Sequence, residues 1–385
     1  MKILDVTEFF SERGGGVRAY LTQLLREGTN RGHEVVVVAP GPRNEESALH
    51  GGRLVRLAGP ALPYDPSYHA LWNVAAVRDV VRRERPDVLQ ASSPYVAALV
   101  GATERSVAVR ALVLHSDQIG SYAHPVLSRA LGPKMADRVL APAWAGLRAL
   151  AGRFDHTIVS ARWFADRLRS ERFPRVSQAP FGIDRGSLGP ALRDEALRAA
   201  YLGAAAGDAR ARVVLIVGRL ALEKRLAFVL DALADVARRR PLAVVVLGDG
   251  PERPRLERKA ASLALPVHFE GFVTDRARYA RTLASADALV HGCAVETFGF
   301  AVAEALASGL PAVVPASGGA GELVDDSCGA AYPPDASVAA AAVTIDRLLD
   351  LPPGPLREGA VARAARIPGA ASHFDTLFSI YGGRR

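Results

Sequence analysis

Short apolar runs separated by helix-period segments most constrain what this chain can fold into. Lys2–Val6, Glu34–Ala39, Asp87–Gln90, Ala111–His115 and His156–Ser160 each read as a brief strand. The run Val35-Val36-Val37-Val38 is too apolar for an exposed strand and predicts one covered on both faces of a parallel sheet. Between the runs, Val17–Glu27 places Val17, Tyr20, Leu21, Leu24 and Leu25 on one helical face, closed by Gly32. Val74–Arg85 is a second helix, ended by Pro86. The pattern then restarts, with strands at Arg212–Val217, Leu242–Leu247, Val267–Gly271, Asp287–His291 and Pro311–Pro315 and helices at Ala227–Arg239 and Phe300–Ser308. Strands alternating with helices predict βαβ units. Two such series predict two Rossmann-like αβα domains, over 1–183 and 184–370, facing each other across an interdomain cleft. The hinge falls near Gly182–Asp184, with Pro190–Arg210 as a connecting segment. In parallel sheets ligands lie beyond the carboxyl ends of the strands, so site residues should directly follow them.

Composition removes other classes. The 385 residues are 49% hydrophobic, which excludes wholesale disorder. Cys293 and Cys328 are the only cysteines, too few for a disulfide scaffold or a four-ligand Cys/His zinc site. The apolar stretch Leu89–Thr103 falls short of the roughly 20 residues of a membrane-spanning helix. Met1–Val6 runs straight into a strand pattern, unlike a signal peptide, so a cytoplasmic protein is expected. The formal net charge is +8, of which +6 lies in the residues through Asp184. That surplus, nearly all arginine, fits either a GC-rich genome or an anionic partner such as a phospholipid surface; nucleic acid is not an expected partner.

The residues after the strands form a polar, glycine-rich and cationic set suited to a phosphorylated ligand. Gly14-Gly15-Gly16 precedes a helix N-terminus, where free N–H groups attract anions, although a plain turn explains it equally. Arg219 and Lys224 fit a diphosphate, as a planar fork and a point charge, or form a solvated pair. Glu296 stands in a loop after a strand, and Glu304 falls inside an otherwise apolar helix. A carboxylate there needs a partner, either sugar or ribose hydroxyls or a group of the protein itself.

Glu296 and Glu304, eight apart around Phe298-Gly299 and followed by Gly309-Leu310-Pro311, resemble the two-acid signature of family 4 retaining glycosyltransferases, which have the GT-B fold. The other motifs occur in the family's order: the glycine loop, Gly182-Ile183-Asp184, Gly218-Arg219 with Glu223-Lys224, Gly248-Asp249-Gly250-Pro251, Gly271-Phe272-Val273 and Gly318-Gly319. The resemblance covers nearly the whole chain. It implies that Arg219 and Lys224 bind the donor diphosphate, with Gly218 and Gly248 nearby. It implies Glu304 on the ribose, Phe272 and Val273 around the base, and Glu296 facing the sugar with the amides of Phe298, Gly299 and Phe300. Gly15 and Gly16 would touch the phosphates, and His115 the sugar, with Asp117 orienting it. The catalytic set is therefore Glu296, His115, Arg219 and Lys224. Two places depart from the family: His291-Gly292-Cys293-Ala294-Val295 precedes the first acid, and Ser372-His373-Phe374 stands where relatives often carry Trp. Cys293 close to the site is most simply a small buried residue. Residues 371–385 are expected as a closing helix packed back on the first domain.

The implied reaction moves a hexose from GDP-mannose or a UDP-hexose to a hydroxyl of a lipid, lipid-linked or glycan acceptor, with retention. No cofactor is implied and no metal, since Asp-x-Asp occurs nowhere in the sequence. The helical segments Met135–Leu150, with Trp144 among basic residues, and Arg162–Arg175, with Trp163 and Phe164, suit an anionic inner membrane face or ordinary packing. Other classes stay open: a soluble acceptor, a non-catalytic nucleotide-sugar-binding module, a phosphorylase-like enzyme, which would need a pyridoxal lysine, and a dinucleotide oxidoreductase, whose Gly-x-Gly-x-x-Gly both halves lack.

Overall fold

Each half of the chain builds its own sheet in the computed structural model, which describes residues 1–11, 15–63 and 65–383. The chain divides into one unit of Met1–Phe181 with Ala370–Arg385 and a second of Gly182–Gly369.

The first unit holds β1 (Lys2–Val6), β2 (Glu34–Gly41), β3 (Glu45–Leu49), β4 (Gly52–Ala58), β5 (Val88–Ala91), β6 (Val109–Val113), β7 (His156–Val159) and β8 (Val176–Gln178). They lie in the order β3-β4-β2-β1-β5-β6-β7-β8, parallel throughout except for the β3–β4 hairpin. The core forms where helices cover these strands, with Leu4, Val36, Val38, Leu89 and Leu112 buried against Phe154 and Phe164. β6 begins and ends two residues before the expected run, so His115 stands in the loop beyond it.

The second unit holds β9 (Arg212–Val217), β10 (Leu242–Leu247), β11 (Val267–Gly271), β12 (Ala288–Val290), β13 (Ala312–Pro315) and β14 (Gly329–Tyr332), all parallel, in the order β11-β10-β9-β12-β13-β14. In both sheets the chain builds outward from its first strand in one direction and then in the other. The reversals fall between β1 and β5 and between β9 and β12. Loops diverge at such a switch point and leave a crevice above the sheet.

One segment departs from its expected role, and another takes the packing role among its expected readings. Residues 190–210 are an integral part of the second unit. Asp194 caps helix Glu195–Leu202 by accepting from the Leu197 amide at 2.9 Å, Tyr201 is buried, and Arg198 pairs with Asp287 at 2.5 Å. The helix Arg162–Ser170 packs inward: Phe164 is core, and Arg167 stacks over the buried Trp144 at 4.9 Å.

The terminal helix Ala370–Gly382 belongs to the first unit and buries Phe374, Leu377, Phe378 and Tyr381. Tyr381 donates its hydroxyl proton to Gln90 Oε1, and Gln90 Nε2 donates in turn to Tyr20 at 3.0 Å and to Asp5. Asp5 is fully buried, and burial pushes its carboxyl up to about 7 against the hydrogen bonds of Ser92 and Gln90. The closing helix is thereby tied to the first strand through hydrogen bonds that meet at Gln90.

An ion network closes the amino edge of the same sheet. Glu84, 6% exposed, meets Arg53 at 2.5 Å and Lys2 at 2.8 Å. The Arg53 hydrogen bond, opposed by burial and aided by Lys2, lowers the Glu84 carboxyl to about 2. A depressed folded value means that this contribution is complete above the ordinary value of 4.5 and is lost as pH falls through about 2. Glu84→Gln should therefore lower unfolding free energy at pH 7 by roughly 2 kcal/mol, because Arg53 and Lys2 lose their shared partner. The gap between variant and wild type should shrink as urea melts are taken below pH 4, and an unchanged gap at pH 3 would count against this role.

Candidate functional site

Loops leaving β9, β12 and β13 converge above the second sheet. After β9 come Gly218 and Arg219, then the turn Leu222–Lys224 leading into helix Leu226–Ala237. After β12 come His291 through Gly299, the residue preceding helix Phe300–Ala307. The loops touch at backbone level. A Cβ at Gly292 would lie 2.5 Å from the Lys224 carbonyl, so only glycine lets the two loops meet. After β13, the Gly319 amide donates to the Glu296 carbonyl at 2.5 Å, and a Cβ at Gly319 would overlap the Phe298 backbone.

This convergence sets Lys224 Nζ 2.5 Å from Glu296 Oε2, with His291 Nε2 3.4 Å from the same oxygen. Burial works against both charges. The Glu296 carboxylate nevertheless holds the Lys224 ammonium above the ordinary lysine value. Lys224, helped by His291, holds Glu296 well below the ordinary carboxylate range. Both groups are therefore charged at neutral pH. Cys293 is buried beside them, and burial pushes its thiol up to about 12, so it stays protonated. Gly218, Arg219, Lys224, His291 and Gly292 line a small pocket floored by Ile216 and Val290. Gly248, with φ of +148°, follows β10 and packs on Gly218. The pocket thus presents two cations and a glycine backbone, a setting for a diphosphate.

Glu304 lies on helix Phe300–Ala307 and has protein partners. Tyr279 donates its hydroxyl to Oε2 at 2.6 Å, and Arg276 meets Oε1 at 2.9 Å. These two residues escape the sequence pattern because their helix, Arg276–Ser285, is 25 positions away and reads as an ordinary charged helix. A carboxylate has about four acceptor positions, so two remain for a ligand hydroxyl. The rings of Phe298 and Phe300 meet edge to face at 4.8 Å and fix the start of the helix. Phe272, 45% exposed, and Val273 follow β11 as an apolar ledge.

The remaining expected residues lie in the first unit. Gly15 precedes helix Gly16–Asn30 and Gly16 opens it, both exposed, while Gly14 lies outside the described residues. His115 packs against Tyr20 at 4.6 Å and stacks on Phe181 at 6.0 Å. Burial, together with His373, lowers it to about 3, so it is a neutral imidazole at physiological pH. Asp117 serves a turn and a cation instead of orienting His115. Its Oδ1 accepts from the Gly120 amide at 2.7 Å, and its Oδ2 meets Arg167 at 3.2 Å. His291, the neighbour of Glu296, is a functional candidate that the sequence offered as the first residue after β12 but that its type alone did not single out.

Comparison with known proteins places this geometry in a family. The model described as "Glycosyl transferases group 1" matches residues 205–366, and that described as "Glycosyltransferase Family 4" matches residues 14–186. A Mycobacterium tuberculosis protein named GDP-mannose-dependent alpha-(1-6)-phosphatidylinositol dimannoside mannosyltransferase is 34% identical over 86% of this chain and 83% of its own. A GDP-mannose-dependent alpha-mannosyltransferase of Mycolicibacterium smegmatis is 31% identical over 84% and 82%. Sucrose-phosphate synthase of Thermosynechococcus elongatus superposes with a TM-score of 0.77 over 98% of each chain at 20% identity. Anabaena HepE in complex with UDP-glucose gives 0.70 over 100% of each at 21%. The solved structures share the fold, and the sequence matches carry the class of chemistry: the chain belongs to the group 1 glycosyltransferases and is an enzyme of the GT-B fold.

Proposed function

We propose that this enzyme transfers mannose from GDP-mannose to a hydroxyl of a phosphatidylinositol-based glycolipid, with retention and without a metal or other cofactor. The observation that carries this is the half-buried Lys224–Glu296 pair beside Arg219 at the switch point of the second sheet. The donor and acceptor follow from the name of the 34% identical mycobacterial relative. On this basis Arg219 and Lys224 take the diphosphate. Glu304 takes the ribose, Phe272 and Val273 border the base, and Glu296 faces the sugar beside the amides of Phe298, Gly299 and Phe300.

The bond from the sugar C1 to the phosphate oxygen breaks as the acceptor oxygen bonds to C1 on the same face. The acceptor proton passes to the leaving phosphate. Arg219 and Lys224 stabilise the charge growing there, as fixed cations in a partly dry pocket. Glu296, held ionised by Lys224, is already engaged and is not cast as a glycosidase-like nucleophile. With two protein cations on the diphosphate and no Asp-x-Asp in the sequence, a metal has no assigned task.

A lipid acceptor fits one face of the first unit. No described helix is long and apolar enough to cross a membrane. Helix Pro133–Ala151 buries a narrow stripe of Ala136, Leu140 and Trp144 and exposes Met135 and Val139 beside Lys134 and Arg138. Apolar side chains flanked by cations suit an anionic membrane surface, including the inner face of a cell membrane.

Thermal-shift titration should show stabilisation by GDP and GDP-mannose exceeding that by UDP and UDP-glucose; the reverse order would overturn the donor assignment. Lys224→Ala should lower kcat/KM by 100-fold or more, in keeping with the loss of one charge-stabilising group. Glu296→Ala should do the same, and transfer should survive excess chelator. Full activity in both variants would remove the pair from the mechanism. Met135→Asp/Val139→Asp should weaken sedimentation with anionic vesicles at low salt, and equal sedimentation would exclude that face.

A further inference from the structure

Beside the donor pocket lies a set of side chains that donor binding does not use in full. His291 Nε2, Cys293 Sγ and a Glu296 carboxylate oxygen all lie within 4.8 Å of one another. His291 is 6% exposed, and the charged group paired with its Nε2 among the described residues is the Glu296 carboxylate, at a long 3.4 Å. A buried ring nitrogen held only by so long a contact is poorly satisfied, and a closer partner at its lone pair would be favourable. Cys293 is a buried free thiol whose sulfur shares that space.

Thiolate sulfur, imidazole nitrogen and carboxylate oxygen together are a zinc-type donor set. Mg²⁺ and Ca²⁺, which prefer oxygen, have little use for it. Three protein ligands leave a fourth position open. Metal–ligand bonds of about 2.0–2.3 Å put ligand atoms roughly 3.3–3.8 Å apart, so the cluster needs to contract by about 1 Å. Metal binding would require side-chain rotation to supply that. The ammonium of Lys224 already sits on the same carboxylate, and a dication would have to take its place.

We propose that His291, Cys293 and Glu296 form a binding site for a thiophilic divalent cation of the zinc class, and that occupancy inhibits the transferase by drawing Glu296 away from Lys224. Binding forms bonds from the metal to Nε2, Sγ and a carboxylate oxygen. The Cys293 S–H proton leaves to solvent, and no electron is transferred. Affinity therefore rises with pH. The inhibitory consequence rests on the donor role given to Lys224 and Glu296 above; the binding itself does not.

The test uses the full chain with Co²⁺ and Zn²⁺ as probes. One equivalent of Co²⁺ should give the near-ultraviolet thiolate-to-cobalt absorption, discharged by Zn²⁺ and not by Mg²⁺. Cys328→Ser should keep the band. Cys293→Ser should lose it, together with at least 30-fold in Zn²⁺ affinity measured against a chromophoric chelator. His291→Gln should likewise lose affinity, and it carries the comparison if Cys293→Ser does not fold. In transfer assays Zn²⁺ should raise the donor KM of the wild type, and Cys293→Ser should retain activity with at least 10-fold less zinc sensitivity. Absence of the band, its loss in Cys328→Ser, or equal zinc affinity in wild type and Cys293→Ser would overturn the site. A wild type that binds the metal but never turns over GDP-mannose would sink the proposed function and leave the cation site standing.

Discussion

The ion pair between Lys224 and Glu296 is the interaction on which the second unit's site depends. The partners are 72 positions apart and stand on loops that leave β9 and β12, the strands flanking the sheet's reversal. Taking both charges out of water is costly, and the pair persists because each satisfies the other. The approach is possible only because the backbones meet at Gly292 and at Gly319, where a side chain would hold the loops apart. Removing either charge would leave its partner desolvated and release the loops together. Position, charge state and loop geometry are therefore one property of this site.

The first unit meets the same constraint at its own reversal with different chemistry. Beside β1 and β5 it places Asp5, Gln90 and Ser92, all buried and, among the described residues, without a neighbouring cation to hold Asp5 ionised. Desolvation then dominates and favours the neutral acid, which a hydrogen-bonded network can accommodate. That network reaches Tyr381 and so fastens the terminal helix. His115 follows the same rule, kept neutral by an aromatic surrounding. One unit thus uses the space above its sheet for opposed charges and the other for neutral polar groups.

Much of this was legible because strands covered on both faces must be apolar. The valine run of β2 and the leucine and valine runs of β9 and β10 announce themselves. So does Glu304, a lone acid in an apolar helix. The β3–β4 hairpin was not legible: Glu45-Glu46-Ser47 lies on an exposed edge, where a strand needs no apolar alternation. Nor was β14, since Gly329-Ala330-Ala331-Tyr332 lacks β-branched residues and is held by pairing with β13. The partners of Glu304 were hidden for another reason. Tyr279 and Arg276 come from a helix whose pattern is ordinary, and only tertiary packing brings them to the acid. Spacing suggested Asp117 for His115, but the nearby turn and Arg167 claim that carboxylate. Local pattern marks residues that need partners, and long-range packing decides who those partners are.

The resting pocket has its own electrostatic logic. Lys224 and Glu296 satisfy one another, and Arg219 lines the same pocket with the glycine backbone of Gly218 and Gly292. On the proposed donor role of Lys224, an arriving donor would share it with Glu296. A lysine suits this role because its ammonium is a point charge on a flexible stem and can hold two anions at once. A guanidinium would present a planar fork, which the carboxylate could engage with both arms and withhold from the phosphate. The same sharing explains how the site can be both strongly paired and ready for a ligand. In the donor role proposed for Lys224, incoming phosphates would extend the pair into a chain of alternating charges from Glu296 through Lys224 to the donor.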